Sequence, residues 1–140
     1  MVEKSKYKLL IVDDNPKHCE LAKQILENSY DIEIAYDGEE AISQIYNFNP
    51  SVVLLDVLMP RLTGDELVKM IKAWKPEIHV IMVSAYLTSE IKEECMQNGA
   101  FDCISKPLVF EHLHETIQNA LSQLSSDIHN RSSHLLIYNV

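Results

Sequence analysis

An unbroken apolar run, Val52-Val-Leu-Leu55, ends in the carboxylate of Asp56, and Pro60 follows four residues later. A second run, Lys8-Leu-Leu-Ile-Val12, ends in two acids, Asp13 and Asp14. His79-Val-Ile-Met-Val83 runs into the hydroxyl of Ser84, and the shorter stretch 101–105 into the ammonium of Lys106. An unpaired carboxylate is costly to bury within a strand, so acids at strand ends point to a site rather than to core. Three carboxylates crowded together repel one another, and a hard cation relieves them. Mg²⁺ takes carboxylate, carbonyl and water oxygens with few protein ligands, which leaves room for a phosphate oxygen. A cation, an ammonium and a hydroxyl around one carboxylate can stabilise a transferring phosphoryl group by position and charge. Carboxylates also serve as covalent phosphoryl acceptors. Singly, each residue has a plainer role: Asp13-Asp14 as a helix-capping pair, Ser84 as a turn hydroxyl, Lys106 as a solvated lysine.

The elements between these points are legible from turn signals and periodicity. Asn15-Pro16 supplies an N-cap and a proline at the first helical position, and Cys19, Ala22, Ile25 and Leu26 give the first helix an apolar stripe. Asp31–Ala35 alternates and reads as an outer strand. Asp37-Gly38 opens a second helix, with Ala41, Ile42, Ile45 and Phe48 inward, and Asn49-Pro50 stops it. After the loop 57–63, Gly64 precedes a third helix with the stripe Leu67, Met70, Ile71, Trp74, ended by Lys75-Pro76. Thr88 or Ser89 caps a fourth, with Ile91, Cys95 and Met96 inward and Asn98-Gly99 closing it. A fifth begins near Val109 and carries Phe110, Leu113, Ile117, Ala120, Leu121 and Leu124. Strict alternation of strand and helix predicts an α/β fold, a doubly wound parallel sheet with helices on both faces. For five strands this means the flavodoxin-like (βα)5 arrangement with order 2-1-3-4-5, which lines up the carboxyl ends of strands one, three, four and five.

Length and composition set the bounds. The 140 residues suit one domain, here read as 7–125, with a short tail at 1–6. Residues 126–140 read as a linker, with an extension of the fifth helix or the start of an output region as alternatives. The net charge of −9 argues against direct nucleic-acid binding by this domain, because a phosphate-binding surface needs clustered Lys and Arg. The three cysteines form no CxxC pair and read as reduced thiols. No stretch approaches the roughly 20 apolar residues of a membrane span, and the amino terminus lacks a signal-peptide core; cytoplasmic location is the expectation. The six histidines show no metal spacing and read as surface residues.

Val12-Asp13-Asp14-Asn15, Asp56-Val-Leu-Met-Pro60, Gly64, Ser84-Ala85-Tyr86 and Gly99-Ala-Phe-Asp102 leading to Lys106-Pro107 together resemble the receiver domain of bacterial two-component response regulators. The resemblance implies that Asp56 accepts a phosphoryl group from a phosphohistidine on a sensor histidine kinase or phosphotransfer protein. It implies Mg²⁺ held by Asp14 directly, Asp13 through water, Asp56 and the backbone carbonyl of Leu58. Ser84 and Lys106 would each bind a phosphoryl oxygen, and Lys106-Pro107 would be cis. Ala85 belongs to the loop whose movement with Ser84 reports the change to the face of helix four, strand five and helix five. The domain would regulate partners rather than act as an enzyme, alone, fused to an output domain, or as a homodimer through helices four and five.

The chain departs from the family pattern at Cys103, where a tyrosine or phenylalanine usually swings between buried and exposed positions. Tyr86, Phe101 or backbone motion after Ser84 would have to take that part. Leu58 is apolar and Tyr86 bulky, and both border the route of an attacking water, so slow loss of the phosphoryl group is expected. Two alternatives are carried. One is a receiver-like interaction module independent of phosphate. The other is an aspartate-nucleophile phosphatase, which needs D-x-D-G at the first strand, where this chain has Asp13-Asp14-Asn15-Pro16.

Overall fold

The computed structural model describes residues 7–59 and 61–123. The readings for the tail 1–6, for 126–140 and for Leu124 lie outside them. Strands β1 (Lys8–Val12), β2 (Asp31–Ala35), β3 (Val52–Asp56), β4 (His79–Ser84) and β5 (Asp102–Ser105) alternate with helices α1 (Pro16–Leu26), α2 (Gly38–Phe48), α3 (Gly64–Trp74), α4 (Ser89–Gln97) and α5 (residues 110–123). The strands form one parallel sheet in the order β2-β1-β3-β4-β5, as expected.

Alternation of side chains along each strand explains why the sheet needs helices on both sides. Leu10, Val12, Val53, Leu55, Val80, Met82 and Cys103 face one layer, filled by Ala41, Ile45, Leu67, Val68, Ile71 and Cys95 from α2, α3 and α4. Leu9, Ile11, Val52, Leu54, Ile81, Val83 and Ile104 face the other, filled by Cys19, Ala22 and Leu26 of α1 and Leu113, Ile117 and Ala120 of α5. Each buried aliphatic side chain contributes about 1.5–3 kcal/mol relative to exposure, and the central strands have such residues on both faces. That is why β3 reads as a continuous apolar run rather than an alternating one.

Helix starts follow the polar residues that precede them. Asn15, Asp37, Thr63 and Thr88 each accept a hydrogen bond from a backbone N–H in the following turn, at 3.0, 2.8, 3.2 and 3.1 Å. Asn49 ends α2 in the left-handed region at φ 53°, and Gly99 follows α4 at φ 108°. Gly64 answers a close approach: a Cβ there would lie 2.4 Å from the Asp56 carbonyl oxygen and 2.9 Å from the Val57 Cα. The start of α3 is therefore pressed against the chain just past Asp56.

Four residues expected inward are exposed: Met70, Trp74, Met96 and Phe110. A stripe at helical spacing is wider than the strip of helix that touches the sheet, and these residues sit at its margin. The last strand starts at Asp102, one residue later than expected, and Phe101 instead packs its ring 5.2 Å from that of His79. His79 and His114 are half-buried rather than surface residues. His114 Nδ1 lies 2.9 Å from the Tyr30 hydroxyl, and His18 lies in the site described next.

Candidate functional site

Register brings the chemistry-bearing residues together. Val12 pairs with Leu55, so Asp13 follows beside Asp56. Asp56 pairs with Val83, which puts Ser84 one step beyond. Ser84 pairs with Ser105, so Lys106 comes next, its N–H donating to the Ser84 carbonyl at 2.8 Å. Residues from four strand ends thus line one edge of the sheet, where open α/β sheets bind ligands.

Asp13, Asp56 and Ser84 are almost fully buried. Carboxylate oxygens of Asp13, Asp14 and Asp56 lie within 4.8 Å of one another. Lys106 Nζ donates to Asp13 Oδ2 at 2.8 Å and lies 3.6 Å from Asp56 Oδ2. The remaining carboxylate oxygens accept from the chain itself: Asp13 Oδ1 from the Asn15 N–H at 2.9 Å, Asp56 Oδ1 from the Leu58 N–H at 3.2 Å. Ser84 Oγ accepts from the Tyr86 N–H at 3.2 Å. The Lys106–Pro107 peptide is cis.

The two buried acids are driven apart electrostatically. Burial, then the charge of Asp13, pushes the Asp56 carboxyl up to about 6, against the pull of Lys106 and the Leu58 N–H. Burial also pushes Asp13 up, but the hydrogen bonds from Lys106 and Asn15 outweigh it, and Asp13 sits below its ordinary value of 3.8. Asp13 is therefore the ionised partner of the lysine. Of the two buried acids, Asp56 is the one whose surroundings favour its carboxylate form less.

The rim is apolar. Leu58, two residues past Asp56, and Tyr86, two past Ser84, are 65% and 75% exposed. A crevice of about 370 Å³ opens between α1 and the loop after β5, with Leu21, Ile25, Pro107 and Leu108 in its walls and Asp13, Asp56 and Lys106 at one end. Ala85 is exposed and lines it too. Cys103 is buried in the same core layer as Cys95, and burial pushes its thiol up to about 12. Phe101 lies at the amino ends of β4 and β5, remote from Ser84, and so drops out as a stand-in for the missing ring.

Residues 9–118 match the response regulator receiver domain family. The chain belongs to that family. It is 34% identical over 120 residues to the transcriptional regulatory protein ZraR of Salmonella typhimurium, a match covering 85% of this chain and 27% of that protein. It is 31% identical over 121 residues to the response regulator MprA of Mycobacterium sp. strain KMS, covering 86% of this chain and 53% of the other. The solved CheY-like receiver domain from Methanospirillum hungatei superposes with a TM-score of 0.81 at 31% identity, over 88% of this chain and 99% of that one. This receiver thus spans only about a quarter of the length of ZraR and half that of MprA. Among the described residues no helix is long and apolar enough to cross a membrane.

Sequence reasoning missed one residue of this site. His18 Nδ1 is 2.9 Å from Lys106 Nζ and 3.4 Å from Asp13 Oδ2. The available signal was its position, three residues past the Asn15 N-cap, which sets it on the first turn of α1 above the strand ends.

Proposed function

We propose that this receiver accepts a phosphoryl group on Asp56 from the phosphohistidine of a sensor kinase or phosphotransfer protein. The observation that carries this reading is the pairing of a reluctant carboxylate, Asp56, with a lysine anchored on its neighbour Asp13. An oxygen of Asp56 attacks phosphorus, a P–O bond forms, the P–N bond to the donor imidazole breaks, and that imidazole leaves with a proton. Lys106 offers an ammonium donor to one phosphoryl oxygen, and the Ser84 hydroxyl turns from the Tyr86 amide to donate to another. The donor set of Asp13, Asp14 and Asp56, with the Leu58 carbonyl nearby in sequence, is all oxygen and fits Mg²⁺. Mg²⁺ would neutralise charge that develops on the phosphoryl oxygens.

Movement of Ser84 and Ala85 then shifts the partner preference of the α4-β5-α5 face as a change of population between two arrangements. With Cys103 buried and Phe101 remote, Tyr86 and the loop backbone take the part of the usual ring. The chain acts as a regulator; its partners are the phosphodonor protein and whatever output unit α4-β5-α5 engages, fused or separate, with a homodimer through α4 and α5 as one form. Free thiols and the kinase partner fit a cytoplasmic location. Incubation with phosphoramidate and Mg²⁺, read by intact mass, tests the reading. One phosphoryl adduct is expected, and chelation with EDTA should abolish it. An adduct that persists in EDTA, or none with any phosphoramidate concentration, contradicts it.

A further inference from the structure

Lys106 is held by two groups. An ammonium can only donate, so the Nδ1 that lies 2.9 Å from it presents its lone pair, and the ring proton sits on Nε2. Nε2 lies 3.5 Å from the Asn15 amide nitrogen, a donor facing a donor, so in this tautomer that contact is no hydrogen bond. The imidazole side chain is 49% exposed, and its hydrogen bond with Lys106 is what ties it to the site. Of the three ammonium donors, one goes to Asp13 Oδ2 at 2.8 Å and one to His18 Nδ1. The third is left on the side of Asp56 Oδ2, at 3.6 Å.

We infer that His18 is a positioning residue for phosphoryl transfer: its neutral Nδ1 takes one donor of Lys106 and so aims another at the phosphoryl group on Asp56. The inference rests on Asp56 being the phosphoacceptor. A lysine has four rotatable bonds, and ordering them costs entropy that a second anchor lowers. Asp13 takes one of the three donors at 2.8 Å, and one contact alone leaves the ammonium free to turn about it. An uncharged acceptor holds the ammonium without competing for its charge.

Asparagine places its Oδ1 where Nδ1 stands, whereas the carbonyl of glutamine reaches the place of Nε2. The test is the rate of phosphoryl uptake from phosphoramidate with Mg²⁺ in wild type, His18→Ala, His18→Gln and His18→Asn, each checked for folding by circular dichroism. Losing one hydrogen bond to a charged donor should slow His18→Ala and His18→Gln about three- to tenfold, and His18→Asn should restore the rate. A second readout needs no metal and no turnover. The Lys106 ammonium, assigned by its loss in Lys106→Arg, should give a protected nitrogen–proton NMR signal in wild type and His18→Asn that is lost in His18→Ala. Equal rates in all four proteins, or an asparagine variant as slow as alanine, would overturn this inference alone. A wild type that takes up no phosphoryl group would overturn the phosphoacceptor reading and this inference with it.

Discussion

The two sides of Asp56 are built differently. Towards β1 and α1 stands a polar clamp of Asp13, Lys106 and His18, with contacts of 2.8–3.6 Å. Towards α4, the Ser84 hydroxyl accepts from the Tyr86 N–H, and Cys103 and Cys95 lie in the core layer on that side of the sheet. The helices differ in the same way: α3 fully buries Gly64, Leu67, Val68 and Ile71 and α1 buries Cys19, Ala22 and Leu26, whereas α4 buries Cys95. Chemistry needs groups held still, and signalling needs an element that can be moved for a small free energy. Under the proposed function, the clamp on one side of Asp56 would serve the first need and the lightly buried α4 on the other side the second.

The largest expected effect breaks this contrast in stability. Ile71→Ala should cost about 2–5 kcal/mol in urea unfolding, because α3 would lose a packed core residue, while Cys95→Ala in α4 should cost about 1 kcal/mol. Equal costs would mean that α4 is held as firmly as α3.

Asp56→Asn probes the clamp. Folding raises Asp56 to about 6 from 3.8, so the native state favours the protonated form. The resulting penalty is absent below pH 4, grows as pH rises through 6 and is complete at pH 7 and above. Without metal, Asp56→Asn should therefore be more stable than wild type at pH 7.5 by about 1–3 kcal/mol, and the gain should vanish near pH 4. A gain that is constant with pH would place its origin elsewhere.

On the other side, Cys103→Phe should destabilise by about 1–3 kcal/mol, since a ring would have to enter the buried core layer that holds Cys95 and Met82. Thermal unfolding would reveal it, and a neutral result would mean that the layer under α4 yields more than its packing implies. The smallest effect concerns the rim. Leu58→Asn and Tyr86→Ala should each hasten loss of the phosphoryl group on the order of threefold, by opening the way to water. Mass spectrometry after donor removal would follow this, and unchanged lifetimes would remove both residues from that role.

The fold was readable because its signals are local: apolar runs that stop at Asp13, Asp56 and Ser84, and caps at Asn15 and Thr88 that name their helices. The site was readable because a parallel sheet in this order lines up strand ends, so residues far apart in sequence needed no contact map to be grouped. His18 was not readable in that way. It belongs to a helix rather than a strand end, and its role depends on where the Lys106 side chain bends, which no spacing encodes. The inward places assigned to Met70, Trp74, Met96 and Phe110 failed for a related reason: periodicity marks the apolar side of a helix but not the width of its contact.

The most direct measurement of the central claim is the phosphoramidate time course by intact mass and peptide mapping, wild type against Asp56→Asn. One phosphoryl group on the peptide containing Asp56 in the wild type, and none in the variant, is the predicted result. An adduct of equal yield in Asp56→Asn, or one mapped to another residue, would contradict it.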